Sequence, residues 1–513
     1  MVLESRIARR GSAIVFAAAI ILGLASFAIL YSQDQYSLIY YGDSSSHLFG
    51  ARKFVDSKAP GLWQLGTVWL PLPHFMFLPF SLVDYLYSSG IAGLAVCLPC
   101  HAFASLIIFR ILRIKTSSSF VPLVGALLYA SNPNLIYLGI TAMTEAPFLA
   151  FFVASAYFYF AWETKMRQGN AKHSLVGLSA LFVVLATLCR YEAWVLAPLL
   201  VILVASASLR RGTSRVLPIV ISLAAFAGIA FWVGWNQYAF GDALEFANSQ
   251  FYSASSQAGE RPYRDMLYLQ PLNDARIYGM AVVMIFGPVL LGLSPFGYFA
   301  NRQKPEDNRL YLFLLAPAMF TLLSLYIGIG EMSQWWFNAR FATFLAPIVV
   351  MLSSLAILRV GEKKSWKKPF VIAMLVASFG FQAFSPLFGV VTFVDAYSGW
   401  IYEPTPSAIN AAEFLRDNYD GGRVMLVTGS AQEHRIMQVS GISLASFDEA
   451  IAMYTSQPYF SEPWKYDRWV LISSDPFADA AGPVKYWRDN QSLLEDHFSL
   501  KYENEYYKVY HIK

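Results

Sequence analysis

Long apolar runs separated by short polar segments organise the first three quarters of the chain. Runs near the roughly 17–25 residues that an α-helix needs to cross the hydrocarbon core fall at about 12–31, 88–110, 119–138, 144–162, 174–189, 193–208, 216–235, 277–300, 310–329, 341–358 and 369–391. They predict about eleven membrane crossings, with 174–189 and 193–208 the tightest pair. The first run is longer than the roughly 7–15-residue apolar core of a cleaved signal peptide and reads as a retained anchor. Beyond 391 the polarity becomes that of a soluble protein. A helix is expected there near 405–418, then a turn at Asp420-Gly421-Gly422 and buried strands at 423–427 and 469–472. A terminal hairpin is expected to turn near Asn504. The expected fold is an all-α polytopic membrane bundle, residues 1–391 with an outer loop at 32–87, followed by a small α/β domain, residues 392–513.

Lysine and arginine set the expected sidedness. With the N-terminus inside, cytoplasmic segments hold 20 of the 38 basic residues, from Arg6, Arg9 and Arg10 to Lys363, Lys364, Lys367 and Lys368, and the outer membrane loops hold 8. Short basic loops face the cytoplasm, so an odd number of crossings leaves the C-terminal domain outside. The expected location is the plasma membrane; an endoplasmic reticulum membrane would give the same topology, with its lumen as the exterior.

Composition narrows the function classes. Hydrophobic residues make up 56% of the 513 positions and charged residues 14%, which excludes an ordinary soluble protein. A net charge of +4 without a basic stripe gives no footing for nucleic acid. Cys97 and Cys100 have a CxxC spacing, but no second pair completes a metal site. With Cys189 they read as packing residues in apolar runs.

Ionisable groups at membrane depth are costly and tend to be functional. Glu145, Arg190, Glu192 and Arg340 all stand at the outer ends of expected spans, where one wet, outward-facing cavity would gather them. The 32–87 loop is too long and too aromatic for a plain connector. Asp43 stands at or just before the start of a helical segment, and His47, four residues on, shares its face. The apolar stretch after Trp69 and His74 is too short to span and suits a helix in the membrane interface. On the residues alone Asp43 is either an N-cap worth about 0.5–2 kcal/mol or a catalytic carboxylate. Asp43 and His47 are two candidate ligands for a divalent cation, few for a metal site. In the 236–276 loop and just before it, Trp235, Tyr238, Phe240, Phe251, Tyr252 and Tyr263 suit a sugar or lipid headgroup, and equally a loop lying on the bilayer.

In order and sidedness these features resemble the GT-C superfamily of membrane glycosyltransferases, in particular its family 39-like branch of protein mannosyltransferases and lipid A aminoarabinose transferases. The resemblance rests on Tyr41-Gly42-Asp43-Ser44 in the first outer loop, Trp69-Leu70-Pro71-Leu72-Pro73-His74 before the second helix and Met143-Thr144-Glu145-Ala146-Pro147. Further on, Arg190-Tyr191-Glu192 and Trp336-Phe337-Asn338-Ala339-Arg340 also resemble family motifs. It covers roughly residues 1–391. One departure bears on the donor and on metal dependence: many relatives carry a second acidic residue directly after the catalytic aspartate, where this chain has Ser44.

The resemblance implies displacement at the anomeric carbon of a sugar on undecaprenyl or dolichyl phosphate, with inversion, to an acceptor glycan, lipid or protein, and no required cofactor. Asp43 is then the general base and Glu145 orients the acceptor or the base. Arg190 and Arg340 meet the phosphate, to which a planar guanidinium is complementary. His47, Arg52, His74 and Glu192 complete the substrate-binding set. The alternatives are structural. Arg190 and Glu192 pair with each other, Arg340 snorkels outward, Glu145 complements a helix dipole, and Arg52 and Lys53 lie on a solvated helix face.

The competing function is a secondary transporter, which would show repeat symmetry and polar, broken helices at the midplane. Here the charges gather at one face instead. A non-catalytic scaffold or sensor would leave the Asp43 loop unexplained. The C-terminal domain has no GxGxxG or Walker pattern and so no expected nucleotide site; acceptor recognition, a stabilising lid and partner docking all remain open for it.

Overall fold

The computed structural model describes residues 2–118, 120–209, 216–249, 267–301, 305–333, 336–362, 368–401, 404–428, 432–449, 457–474 and 482–513. Basic loop residues Arg210, Arg211, Arg215, Arg302, Lys304, Lys363, Lys364 and Lys367, and the aromatic candidates Phe251, Tyr252 and Tyr263, lie outside the described residues.

Among the described residues nine helices are long and apolar enough to cross a membrane: Arg10–Gln33, Ile91–Lys115, Glu145–Arg167, Tyr191–Leu209, Val216–Phe240, Pro271–Asn301, Pro305–Tyr326, Ala339–Ile357 and Pro369–Ile401. The protein is therefore an integral, multi-pass membrane protein. The other two expected runs differ from continuous spans. The 119–138 run is two helices, Phe120–Ala130 and Pro133–Ile140, bent by 60°. Pro133 cannot donate back into the preceding turn. Asn132 caps the second helix by accepting from the backbone of Asn134 (3.0 Å) and Leu135 (3.3 Å), and it donates to the Ile285 carbonyl (2.9 Å). Broken backbone is tolerated at membrane depth when such groups satisfy it. The 174–189 run forms only Ser174–Thr187, 14 residues, about 21 Å long against a hydrocarbon core of roughly 30 Å.

The chain divides into two compact units. The membrane unit is Met1–Ser32, Gly66–Pro73 and Leu94–Asp395; the second is Gln33–Leu65, His74–Gly93 and Ala396–Lys513. The sequence reading kept the whole 32–87 loop with the membrane bundle. Most of that loop instead packs with the C-terminal residues.

In the membrane unit the Pro271–Asn301 and Ala346–Glu362 helices approach closely at Gly297. A Cβ there would meet the Leu352 carbonyl, whose carbon lies 2.7 Å away. Ser294 and Ser353 bridge the same pair of helices at 2.9 Å. Backbone cannot give way as a flexible side chain does, so Gly297→Ala should destabilise by about 1–3 kcal/mol or more. The expected readout is a lower thermal midpoint in detergent; an unchanged midpoint would show that these helices separate without cost. Buried and half-buried ion pairs tie other helix ends together: Arg309 to Glu163 (3.0 Å), Arg167 to Glu306 (2.7 Å) and Lys115 to Asp307.

The second unit holds a five-stranded sheet. Val424–Val427 (β1) lies between parallel Phe447–Glu449 (β2) and Trp469–Ser473 (β3), while Phe498–Glu503 (β4) and Tyr507–Ile512 (β5) form a terminal hairpin. The order is β2-β1-β3-β5-β4, with β5 antiparallel to β3. Asn504 accepts from the backbone of Tyr506 (3.1 Å) and Tyr507 (2.9 Å) and so makes the turn. The helix expected near 405–418 is Thr405–Asn418, and Met425, Val427, Val470, Ile472 and Trp487 fill the core.

Asp448 on β2 pairs with Lys58 and with Arg423 (2.5 Å), and beside it Asp467 is buried. Burial, and then the Asp448 carboxylate, push the Asp467 carboxyl up to about 8. The group is then protonated when folded and ionised when unfolded over the intervening range, so folding takes up a proton. Stability from this source is fully present near pH 4 and drains away as pH rises toward 8. Asp467→Asn should flatten that slope and stabilise the unit at pH 8. A pH dependence of unfolding identical to that of the native chain would discount the group.

Candidate functional site

In the membrane unit four of the expected residues meet. Glu145 opens the Glu145–Arg167 helix and is fully buried. Arg190 is held in extended backbone just before the short turn Tyr191–Ala193, which aims its guanidinium at that helix start. It donates to Glu145 Oε1 (2.8 Å), to Thr144 Oγ1 (2.8 Å), and through Nε and a terminal nitrogen to both oxygens of Glu192 (3.1 and 2.8 Å). Arg340, in the turn Ala339–Leu345 that follows left-handed Asn338, places Nε 3.1 Å from the same Glu145 oxygen. Phe341 packs against both guanidiniums, at 5.0 and 5.4 Å.

The cluster is therefore two carboxylates and two guanidiniums, balanced in charge, as burial in an apolar bundle requires. Arg190 and Glu192 pair with each other. Arg190 spends most of its donors on carboxylates. Among the supports, Tyr191 donates to the Val68 carbonyl (2.7 Å), Trp232 donates to the Tyr191 hydroxyl (3.0 Å), and Trp235 donates to the Gly66 carbonyl (3.0 Å). The segment Gly66–Pro73 is thus pinned from the residues around Arg190 and from the Ala227–Phe240 helix.

The remaining candidates belong to the second unit. Asp43 is the second residue of the Gly42–Arg52 helix, half-buried in its first turn. The capping position is Tyr41, so the carboxylate is not the N-cap that local sequence allowed. His47 is one turn further on, with its Nδ1 3.1 Å from His74 Nε2. Both imidazoles are buried, and burial, then His47 and Lys53, hold the His74 ring well below the usual range, hence neutral. Arg52 does not lie on a solvated helix face. It is buried, bound to Asp56 (2.8 Å) and Asp84 (2.6 Å), and lies 4.6 Å from the Tyr87 ring. Burial likewise lowers the Lys53 ammonium, partly opposed by Glu449.

Among the described residues no three His, Cys, Asp or Glu side chains are grouped as a metal-ligand set. Cys97, Cys100 and Cys189 are free thiols, two of them buried.

Sequence reading missed the residues behind Asp43. They are His434, Arg435 and Gln438 on the Glu433–Ser440 helix. The polar run Gln432-Glu433-His434-Arg435 was the available signal, but its partners stand some 390 positions earlier.

A membrane-helix bundle with a helical first loop and a small α/β C-terminal domain is a fold this chain shares with solved GT-C membrane glycosyltransferases. Residues 80–235 match the family described as dolichyl-phosphate-mannose-protein mannosyltransferase, a stretch containing Glu145, Arg190 and Glu192 but not Asp43 or Arg340. ArnT from Cupriavidus metallidurans is similar in structure when bound to undecaprenyl phosphate, with TM-score 0.59 and 11% identity over 96% of this chain and 97% of ArnT. Its apo state gives TM-score 0.56 and 12% identity, with the same coverage. The archaeal oligosaccharyltransferase AglB from Archaeoglobus fulgidus, in complex with an inhibitory peptide and a dolichol-phosphate, gives TM-score 0.51 and 12% identity over 95% of this chain and 72% of AglB. At such identities the structural likeness establishes the fold. No curated protein matches the sequence.

Proposed function

We propose that the chain moves a sugar from a polyprenyl-phosphate donor, undecaprenyl- or dolichyl-linked, to an acceptor hydroxyl at the outer face of its membrane. The observation that carries this reading is Asp43: on a GT-C fold, a half-buried carboxylate stands in the first turn of the first-loop helix and is not used as its cap. The bound undecaprenyl phosphate of ArnT and dolichol-phosphate of AglB support the donor class.

The acceptor hydroxyl loses its proton to Asp43 as its oxygen attacks the anomeric carbon. The carbon–oxygen bond to phosphate breaks with the electron pair leaving on the phosphate, which needs positive charge rather than a proton donor. One displacement inverts the anomeric centre. Arg340 is the cation assigned to the phosphate. Arg190, engaged by Glu145 and Glu192, is the residue that positions Glu145. Buried His47 and His74 hold the Gly42–Arg52 helix.

The N-terminus is assigned to the cytoplasm and the C-terminal domain to the exterior, with the plasma membrane as the compartment. Counting the bent pair and the short helix as one crossing each retains the odd total. The test is incubation of the purified protein with labelled polyprenyl-phosphate sugars and candidate glycan, lipid and protein acceptors. Inverted product supports the reading. Uptake of substrate into proteoliposomes without any transfer would instead identify a transporter.

A further inference from the structure

The Gly42–Arg52 helix buries an unusual face. Ser44, Ser45 and Ser46 are all buried, and buried hydroxyls require partners. Ser44 donates to the Leu38 carbonyl (2.9 Å), Ser45 donates to Gln438, and Ser46 is hydrogen-bonded to His434 Nδ1 (2.8 Å). Phe49 stacks on the His434 ring at 4.2 Å, and Gln438 donates onward to the Tyr87 carbonyl (2.6 Å). Ser45 and Ser46 are thus the seat of one C-terminal helix, Glu433–Ser440, within the second unit.

That helix also carries a buried cation to the start of the Asp43 helix. Arg435 donates to the Tyr40 carbonyl (2.9 Å) and to Gln432 (3.1 Å), and its guanidinium lies 5.6 Å from the Trp400 ring. Its terminal nitrogen sits so close to Gly42 that a Cβ there would be 3.5 Å away. Asp43 is the adjoining residue and the carboxylate that favours its charged form. Burial, the larger influence, pulls the guanidinium down to about 10.

We infer that Arg435 is a positioning residue for Asp43, so that the Glu433–Ser440 helix of the C-terminal domain is a working part of the catalytic centre. The inference rests on the transferase reading above. The attraction is mutual: a buried guanidinium beside the Asp43 backbone orients that carboxylate and keeps it ionised, which a general base requires. Besides Asp43, the titratable groups that act on Arg435 are Tyr507 on β5 and the adjoining His434, which Lys53 at the end of the Gly42–Arg52 helix also faces. His434 is held at about 4, first by burial and then by Lys53 and Arg435, so it stays neutral across the working range.

The experiment uses the full chain in nanodiscs and measures labelled sugar transfer against pH for native protein, Arg435→Gln, Arg435→Lys and Gln438→Ala. Arg435→Gln should lower kcat by roughly tenfold to a hundredfold, leave both KM values within about twofold, and move the acidic limb of the profile to higher pH. Arg435→Lys should restore the limb and part of kcat, which also covers the case in which the glutamine variant does not fold. Gln438→Ala loosens the same helix without altering charge and should lower thermal stability with the limb unmoved. A native enzyme whose Arg435 variants keep the native limb, or lose only KM, overturns the inference while leaving the transferase reading intact. A native chain that transfers no sugar overturns both.

Discussion

Asp43→Asn should abolish sugar transfer, with kcat falling by about 10²–10⁴-fold, the range a positioned general base contributes. Asparagine keeps the shape of the side chain and removes its ability to take a proton from the acceptor. The helix itself should survive, because its cap position is Tyr41 and its buried serines are bound independently of the carboxylate. Some stability should be lost, since Arg435 is then left without the negative charge that offsets its burial. The two effects separate cleanly: transfer is measured with labelled donor, and folding by the thermal midpoint. A variant that transfers at the native rate would remove Asp43 as the base.

The second large effect is expected at Glu145. This fully buried carboxylate receives Arg190 at 2.8 Å and Arg340 at 3.1 Å through a single oxygen. Glu145→Gln leaves two guanidiniums in an apolar bundle with only the Glu192 charge between them. Breaking a buried pair by removing one partner costs about 3–5 kcal/mol, mostly because the other charge is stranded. Glu145→Gln should therefore lower the thermal midpoint of the membrane unit and disorder the aim of both arginines. Adding Arg340→Met removes one stranded cation and should recover part of the loss, a coupling that a double-mutant cycle measures. If the two substitutions simply add, Glu145 and Arg340 do not form the pair seen here.

The local signals and the tertiary outcome part company at identifiable places. Each expected apolar run corresponds to helix, because hydrophobicity sums along a window and needs no knowledge of partners. Even the break at Asn132-Pro133 is written locally, in a capping residue followed by a proline, although the run was read as continuous. The helix that starts beside Asp43, the strands β1 and β3 and the turn at Asn504 were legible for the same reason.

Pairing was not legible. Arg190 stood equally well with the lipid phosphate or with Glu192 until the fold brought Glu145, 45 positions away, against it. Arg52 stood between a substrate-binding role and a solvated helix face, and Asp56 and Asp84 take it into the interior. Ser44 stood as a departure from a family motif, and its partner, the Leu38 carbonyl, is local. The partners of Ser45 and Ser46, Gln438 and His434, are about 390 residues away.

By itself, then, the chain determined a membrane-spanning helical protein, the places of most of its apolar helices and of strands β1 and β3, and a short set of side chains worth suspecting. Those properties follow from transfer free energies and backbone preferences that each residue carries with it. Only the tertiary structure decided which charges neutralise one another, that most of the first loop packs with the C-terminal residues, and that a C-terminal helix stands behind Asp43. Ion pairs and buried hydrogen bonds are short-ranged and directional, so the identity of a partner is set by where the folded backbone passes, not by distance along the sequence.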